Sequence, residues 1–497
     1  MEFKKVRVII LTFLLFLALV CAYNLYKVEA ALNTYLVLVN SNPVVITEPK
    51  EPKKELIFLA HGFAGSTSFM KPIAVSLARS GYKTVRFDFL GHGRHSKPYS
   101  GNILKSSGAT QILANQTQEI VEYFLRKNDH VKGIIIGHSM ASDIIFRVAA
   151  GNKKLIGAIG ISSYTDEIKP NKPYNTLILN GEWEPRLRAK ALENLTSLGF
   201  SEPKEGTIYG NFEDGTARKV ESITKADHVR ILYSKFTQNE VNDWINLVTG
   251  SKIDTKENKI GFLSLSLLML IIFAFIIAVT FLPKRRLKKV NVKLVKCAIG
   301  NFIAIVTVPF LLNMYQINFV PYPAQNYLIN HFLLYSLVLS FFLPLRSLKA
   351  VFMDFNLGIL VFLLFFYNII IGGVLDRYVS SFFPHNVRID LLIILFIVCF
   401  PLMTVIQIFG NAEKNSFFMS NLTRISILIS LSSIIFLNFS EYFLVAYAIL
   451  LMICFFIVFN SLSSLLFHRF KSFLSVSLAN GFTLAWTLSS ALPLYVL

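Results

Sequence analysis

Cysteine is scarce in this chain of 497 residues: Cys21, Cys297, Cys399 and Cys454 are its four thiols, each in or beside a strongly apolar stretch. Spacing of that kind offers neither a disulfide framework nor a CxxC metal site, and it leaves the redox compartment undetermined. Acidic residues are also few, 30 against 49 Lys and Arg, for a formal net charge of +19. Such an excess points to nucleic acid, to anionic lipid or to membrane topology. No nucleic-acid-binding module accompanies it, so nucleic acid is not an expected partner. The densest basic run, PKRRLKKVNVKLVK from Pro283 to Lys296, lies between two apolar stretches, as a cytoplasmic loop should. Charge of either sign reaches only 16%, whereas 54% of the residues are hydrophobic and 45 are Phe. That composition is too apolar for a purely soluble protein, and membrane lipids are expected partners.

Three parts follow one another. Residues 1–30 place Lys4, Lys5 and Arg7 ahead of an apolar core from Val8 to about Tyr23, which reads as an uncleaved signal anchor in preference to a cleaved signal peptide. Residues 31–258 are mixed, charged and punctuated by Gly and Pro, as a globular domain is. Residues 259–497 are nearly all apolar, with helices expected near 260–282, 297–315, 328–345, 351–373, 389–409, 423–438, 441–460 and 474–496. Basic residues at the amino terminus and in the Pro283 to Lys296 loop agree on one orientation, with the globular part on the extracytoplasmic side of a plasma membrane. Alternation then places LRSLKA (Leu345 to Ala350) and FHRFKS (Phe467 to Ser472) inside, and both are basic.

Within the globular part the pattern predicts a hairpin (NTYLVLVN, PVVITEP) and then strands alternating with helices, beginning at ELIFLA and closing with the helix HVRILYSKFTQNEVNDWINLVT. Alternation of that kind means a mostly parallel sheet covered by helices, an α/β architecture, here joined to an all-α transmembrane bundle. One segment raises a chemical question. In VKGIIIGHSMASD an apolar strand breaks at Gly137-His138-Ser139-Met140-Ala141 and runs into a helix, so Ser139 stands on a sharp strand-to-helix turn.

That turn, together with HGF after an earlier strand, DFLGHGRHS (Asp88 to Ser96), NGEWEP after a late strand and KADH before the last helix, resembles the α/β-hydrolase superfamily over about Thr34 to Gly250. The resemblance implies a nucleophile at Ser139, a histidine base at His228 and an acid at Glu184, with Asp166 as the alternative acid. Serine is a weak nucleophile at its own pKa, hence the need for a base and an orienting carboxylate. The oxyanion donors implied are the backbone amides of Phe63 and Met140. Ala141 stands where glycine is usual, and Trp183 is expected to pack rather than to bind substrate. His61 and Gly62 are expected to shape their loop, and Asp88, Gly91, His92 and Gly93 to order a turn beside it.

A helical cap is missing, because only SYTDEIKPNKPY separates the strand after the Ser139 helix from the acid-bearing strand. The expected protein is a membrane-embedded serine hydrolase with an open site for an ester or lipid, requiring no cofactor and no metal. An acyltransferase, a peptidase and a non-catalytic scaffold use the same framework. The carboxy-terminal helices carry few charges, among them His331, Asp354, Arg388 and Asp390, too few for a proton-coupled pump and in keeping with an anchor or scaffold.

Overall fold

The computed structural model describes residues 2–102, 106–126, 131–252, 254–283, 290–344, 354–470 and 472–496. Most of the basic loop beginning at Pro283, the LRSLKA segment and His130 lie outside the described residues. The chain forms two compact units. One, an α/β unit, comprises Leu17–Leu268 and Arg377–Ser381; the other, a helical unit, comprises Met1–Phe16, Met269–Asp376 and Phe382–Leu497.

The α/β unit is built on nine strands: β1 (Asn33–Val39), β2 (Asn42–Glu48), β3 (Leu56–Ala60), β4 (Lys83–Phe87), β5 (Gly133–His138), β6 (Leu155–Ile161), β7 (Thr176–Gly181), β8 (Ile208–Tyr209) and β9 (Arg218–Ile223). They lie in the order β1-β2-β4-β3-β5-β6-β7-β9-β8. From β4 across to β9 every neighbouring pair is parallel, and the β1–β2 hairpin and β8 add antiparallel edges. All residues of β3, β5 and β7 are buried, because apolar residues on both faces of a parallel sheet demand cover on both. On one face α2 (Lys71–Arg79) and α6 (Lys235–Thr249) pack Ile73, Leu77, Val241, Trp244 and Ile245 onto Ile57, Leu59, Ile134, Ile136 and Ile159. The connections around α3 (Gln111–Arg126), α4 (Met140–Gly151) and α5 (Pro185–Ser197) complete the alternation.

Strand order reverses at β3, which has β4 on one side and β5 on the other. Consecutive connections leave in opposite directions there, and a crevice opens at the carboxyl ends of β3 and β5. Residues 162–175, between β6 and β7, contain no helix and therefore no cap. Their path is held by Arg218, almost wholly buried, whose guanidinium donates to the carbonyls of Lys169 and Pro170 and to those of Gly215 and Ala217.

One expectation is corrected. The predicted closing helix is interrupted: a short 3-10 turn, Arg230–Tyr233, precedes α6, and Ser234 (φ −74°, ψ 134°) separates them. The Ser234 hydroxyl accepts from the Phe236 amide, so a capping residue embedded in a helical pattern ends one element and starts another. Strand β8, only two residues long, also lacks a run that the sequence pattern picks out.

Among the described residues, before and after the globular sequence, are α1 (Glu2–Glu29) and eight further long helical segments: α7 (Ile260–Thr280), α8 (Leu294–Met314), α9 (Pro323–Ser340), α10 (Leu357–Tyr378), α11 (Val387–Gly410), α12 (Ser416–Leu437), α13 (Phe439–Phe467) and α14 (Phe473–Ala491). Among the described residues seven of these, all but α9 and α14, are long and apolar enough to cross a membrane, which suggests a membrane protein. The two exceptions carry polar side chains and turn them inward. Gln325, Asn326, Asn330 and His331 of α9 are buried, as are Asn480, Thr483 and Thr487 of α14. His331 Nε2 lies 2.9 Å from Ser430 Oγ, Tyr335 donates to Asn301, and Arg388 donates to the carbonyls of Ser489 and Leu492 at the end of α14. Apolar residues toward lipid and polar ones toward neighbouring helices is the economical arrangement where no water competes.

Replacing Arg218 by Met removes a charged donor from four carbonyls, three of which (Lys169, Gly215 and Ala217) keep a backbone amide. The expected cost is about 3 kcal/mol, read as a lower unfolding midpoint together with faster proteolysis between residues 162 and 175.

Candidate functional site

Ser139 lies between the last residue of β5 and the first of α4, at φ 54° and ψ −121°. An L residue holds such an angle only where its surroundings impose it. Here the Ser139 amide donates to the Ile161 carbonyl, and the Ser139 carbonyl accepts from both the amide and the hydroxyl of Ser142. Gly137 allows the turn, because a Cβ there would stand 2.6 Å from the Ala141 carbonyl oxygen and 2.7 Å from Ile145 Cγ1. The methyl of Ala141 is accommodated fully buried.

His228 Nε2 is 2.8 Å from Ser139 Oγ, and its Nδ1 is 2.6 Å from Glu184 Oε1. A carboxylate only accepts, so Nδ1 carries the proton and Nε2 faces the serine hydroxyl with its lone pair. The imidazole is half exposed while the Glu184 carboxylate is nearly covered. Burial alone raises the Glu184 pKa. Hydrogen bonds from His228, from the Gly181 amide (2.7 Å) and from the Ser162 hydroxyl (2.8 Å) outweigh it and hold the group below the ordinary carboxylate value. His228 is held in a turn that Asp227 caps by accepting from the amides of Val229 and Arg230.

The HGF loop lies against the serine. A Cβ on Gly62 would stand 2.8 Å from His138 Nδ1 and 3.0 Å from Ser139 Cβ, so glycine lets that backbone approach. Phe63 follows directly, and Met140 opens α4 beside the serine. His61 fixes this loop by bonding the Gly62 carbonyl through Nδ1 (2.7 Å) and accepting the Phe89 amide on Nε2 (3.1 Å). Asp88 accepts the amides of Thr67 (2.7 Å) and Arg94 (3.0 Å), ordering the neighbouring turn.

The remaining expected residues fall elsewhere. Asp166 is exposed and paired with Lys190 at 2.7 Å, away from the histidine. Trp183, expected to pack, leaves 58% of its surface exposed. Two participants escaped the sequence reading. Ser162 occupies the position after β6 at φ 48° and donates to Glu184, and a serine after a strand carries no signal of that contact. His138 is buried and donates from Nε2 to the His228 carbonyl at 2.8 Å, its role hidden inside the serine motif.

Residues 55–201 match the family model described as alpha/beta hydrolase fold. The globular part has the α/β-hydrolase fold. The match supports a hydrolase, and it ends before His228. Among solved structures the chain is similar to a Thermus thermophilus protein (14% identity, 44% of this chain and 99% of that one, TM-score 0.34). It is also similar to a predicted CIB-like hydrolase from Thermoplasma acidophilum (17% identity, 44% and 99%, TM-score 0.33). A third likeness is to an alpha-beta serine hydrolase homologue from Coxiella burnetii (18% identity, 44% and 96%, TM-score 0.32). No curated protein matches the chain.

Burial pushes the His138 imidazole down to about 3, from 6.5. The unfolded chain therefore takes up this proton first, and the associated stability, complete above pH 6.5, declines as the pH falls toward 3. His138→Gln retains an N–H donor at the Nε2 position and removes the titration. Between pH 7 and pH 5 the variant is expected to lose about 2 kcal/mol less stability than the native protein, measured by thermal unfolding at both pH values.

Proposed function

We propose that this protein is a membrane-embedded serine hydrolase of the esterase or lipase kind. The observation that carries the reading is the continuous hydrogen-bonded series Ser139, His228, Glu184, at 2.8 and 2.6 Å, on a strained turn after β5. In the first step Ser139 Oγ attacks the acyl carbon while His228 Nε2 takes the hydroxyl proton. Glu184 holds the imidazole in the required tautomer and balances its positive charge. The oxyanion is received by the amides of Phe63 and Met140, the two donors beside the serine. His228 then returns its proton to the departing alcohol, leaving an acyl group on Ser139. Water, activated by the same histidine, attacks that ester and releases the acid.

An apolar acyl chain suits the surroundings. Phe63, Tyr164, Trp183 and Val229, each within two residues of Ser162, Glu184, His228 or Gly62, are exposed large hydrophobic residues at the carboxyl ends of the strands. Single exposed apolar residues are common on any surface, but four this close in sequence to the site residues favour a lipid or long-chain ester as the substrate class. The basic residues Lys4, Lys5 and Arg7 before the first apolar helix support an extracytoplasmic placement of the hydrolase domain at the plasma membrane.

Labelling detergent-purified protein with a fluorophosphonate probe tests the reading. The native chain is expected to react, and Ser139→Ala and His228→Ala to lose labelling by roughly 10⁴-fold or more. A folded native protein that does not react defeats the proposal. A finer expectation concerns the carboxylate: Ser162→Ala removes one donor to an ionised group and should slow labelling about 10-fold, with the pH dependence displaced upward as the Glu184 pKa rises.

A further inference from the structure

The five residues Arg377–Ser381, the last two of α10 and the three that follow it, group with the α/β unit although the rest of α10 and all of α11 do not. Their contacts fall on the two loops that flank Ser139. The Ser381 amide donates to Ser66 Oγ at 2.9 Å, and both residues are buried. Ser66 is three residues beyond Phe63 in the loop that follows β3, and its carbonyl accepts the Phe69 amide at 3.0 Å. On the other side Tyr233 donates its hydroxyl to the Tyr378 carbonyl at 3.1 Å. Tyr233 ends the 3-10 turn that begins two residues after His228. Phe69 closes the circuit, its ring edge-on to Tyr233 at 6.2 Å and to His138 at 5.6 Å.

The segment is fastened at its other end as well. Arg377 pairs with Glu29 at 3.0 Å, and the same carboxylate oxygen takes Lys71 at 2.9 Å. Lys71 is the first residue of α2, the helix that the Phe63 loop enters, and its ammonium lies 4.6 Å from the centre of the Tyr378 ring. One ion pair, whose carboxylate is shared with Lys71, a cation over an aromatic face and two hydrogen bonds thus converge on five residues. The hydrophobic core of the unit is assembled from residues between Ile57 and Val248, so these contacts add to a fold that already has its core.

We propose that Arg377–Ser381 is a positioning strap for the site. It holds the Phe63 loop and the His228 turn at a fixed separation, and so sets how the oxyanion donor and the base meet over Ser139. The inference rests on the serine-hydrolase reading and extends it. Displacements of about 1 Å at a reacting centre cost up to 10²-fold in rate, whereas a lost peripheral hydrogen bond costs little stability. Strap variants should therefore be slow and stable.

The test uses the full-length protein in detergent, with Tyr233→Phe, Ser66→Ala and the double variant. Both changes keep the packing and remove one polar atom each. The readouts are the fluorophosphonate labelling rate, kcat and KM on a p-nitrophenyl ester, and the thermal midpoint. The expected result is a roughly 10-fold or greater fall in labelling rate and kcat for the double variant, with KM and the midpoint little changed. Equal labelling of native and double variant overturns the strap and leaves the hydrolase reading standing. A fall in rate matched by a fall in midpoint also overturns it, since the segment is then structural only. A native protein that fails to label removes the hydrolase reading and the strap together.

Discussion

The backbone of Ser139 is forced to φ 54°, and much of the α/β unit serves to hold it there. For an L residue so sparsely populated a backbone conformation costs about 1–3 kcal/mol, so the turn persists only under constraint. The constraint comes from three directions. The strand partner β6 receives the Ser139 amide on Ile161, the first turn of α4 returns donors from Ser142, and Gly137 leaves room for Ala141 to approach. A hydroxyl lifted in this way clears the backbone and meets a base carried on a different strand connection. The parallel sheet is what makes the meeting repeatable, because β5, β7 and β9 deliver Ser139, Glu184 and His228 to the same edge.

Much of this geometry was legible in the sequence, for identifiable reasons. The parallel sheet follows from apolar runs too continuous for a one-sided strand, such as LIFLA of β3 and GIIIGH of β5, punctuated by helix-length amphipathic segments. Gly137, Ser139, Glu184 and His228 sit at strand ends, where local motifs survive because backbone geometry there tolerates few residues. Ser162 and His138 were not legible in their roles. Their hydrogen bonds join residues 22 and 90 positions apart, and nothing in the local pattern distinguishes them from ordinary strand-end residues. The break at Ser234 was missed because the apolar spacing continues through it, while a single side-chain cap decides against continuation. Least legible was Arg377–Ser381, whose contact with Ser66 spans 315 residues.

The helical region obeys a different rule of reading. In α9 and α14 polar residues lower the hydropathy below that of a membrane span, yet both helices are among the most covered by their neighbours. Burial of Gln325, Asn330, His331, Asn480 and Thr483 gives the helices partners that apolar faces do not specify, as in the bond from Ser463 to Asn480 and that from Asn368 to Thr483. Hydropathy identifies what faces lipid, and the polar side chains identify which helices belong together. The sparse charge that argued against a pump fits this division, since Arg388 spends its donors on backbone carbonyls at the end of α14.

The missing cap poses a physical problem that the serine-hydrolase reading has to answer. Acyl transfer through an oxyanion gains most from a site that excludes water, because hydrogen bonds to developing charge strengthen as the local dielectric falls. Residues 162–175 contain no helix to close over Ser139, and the His228 side chain is 48% exposed. Phe63, Tyr164, Trp183 and Val229, each within two residues of a site residue, leave apolar surface exposed. A small, soluble ester would leave that surface wet and the oxyanion hydrated. A long acyl chain laid across it buries apolar area on both sides, at about 25 cal/mol for each Å² removed from water, and expels water from the imidazole in doing so. On the proposed lipid reading the substrate would then supply the lid. On this argument the absence of a cap and the exposed rim are one design, and discrimination should grow with acyl length rather than with the chemistry of the leaving group.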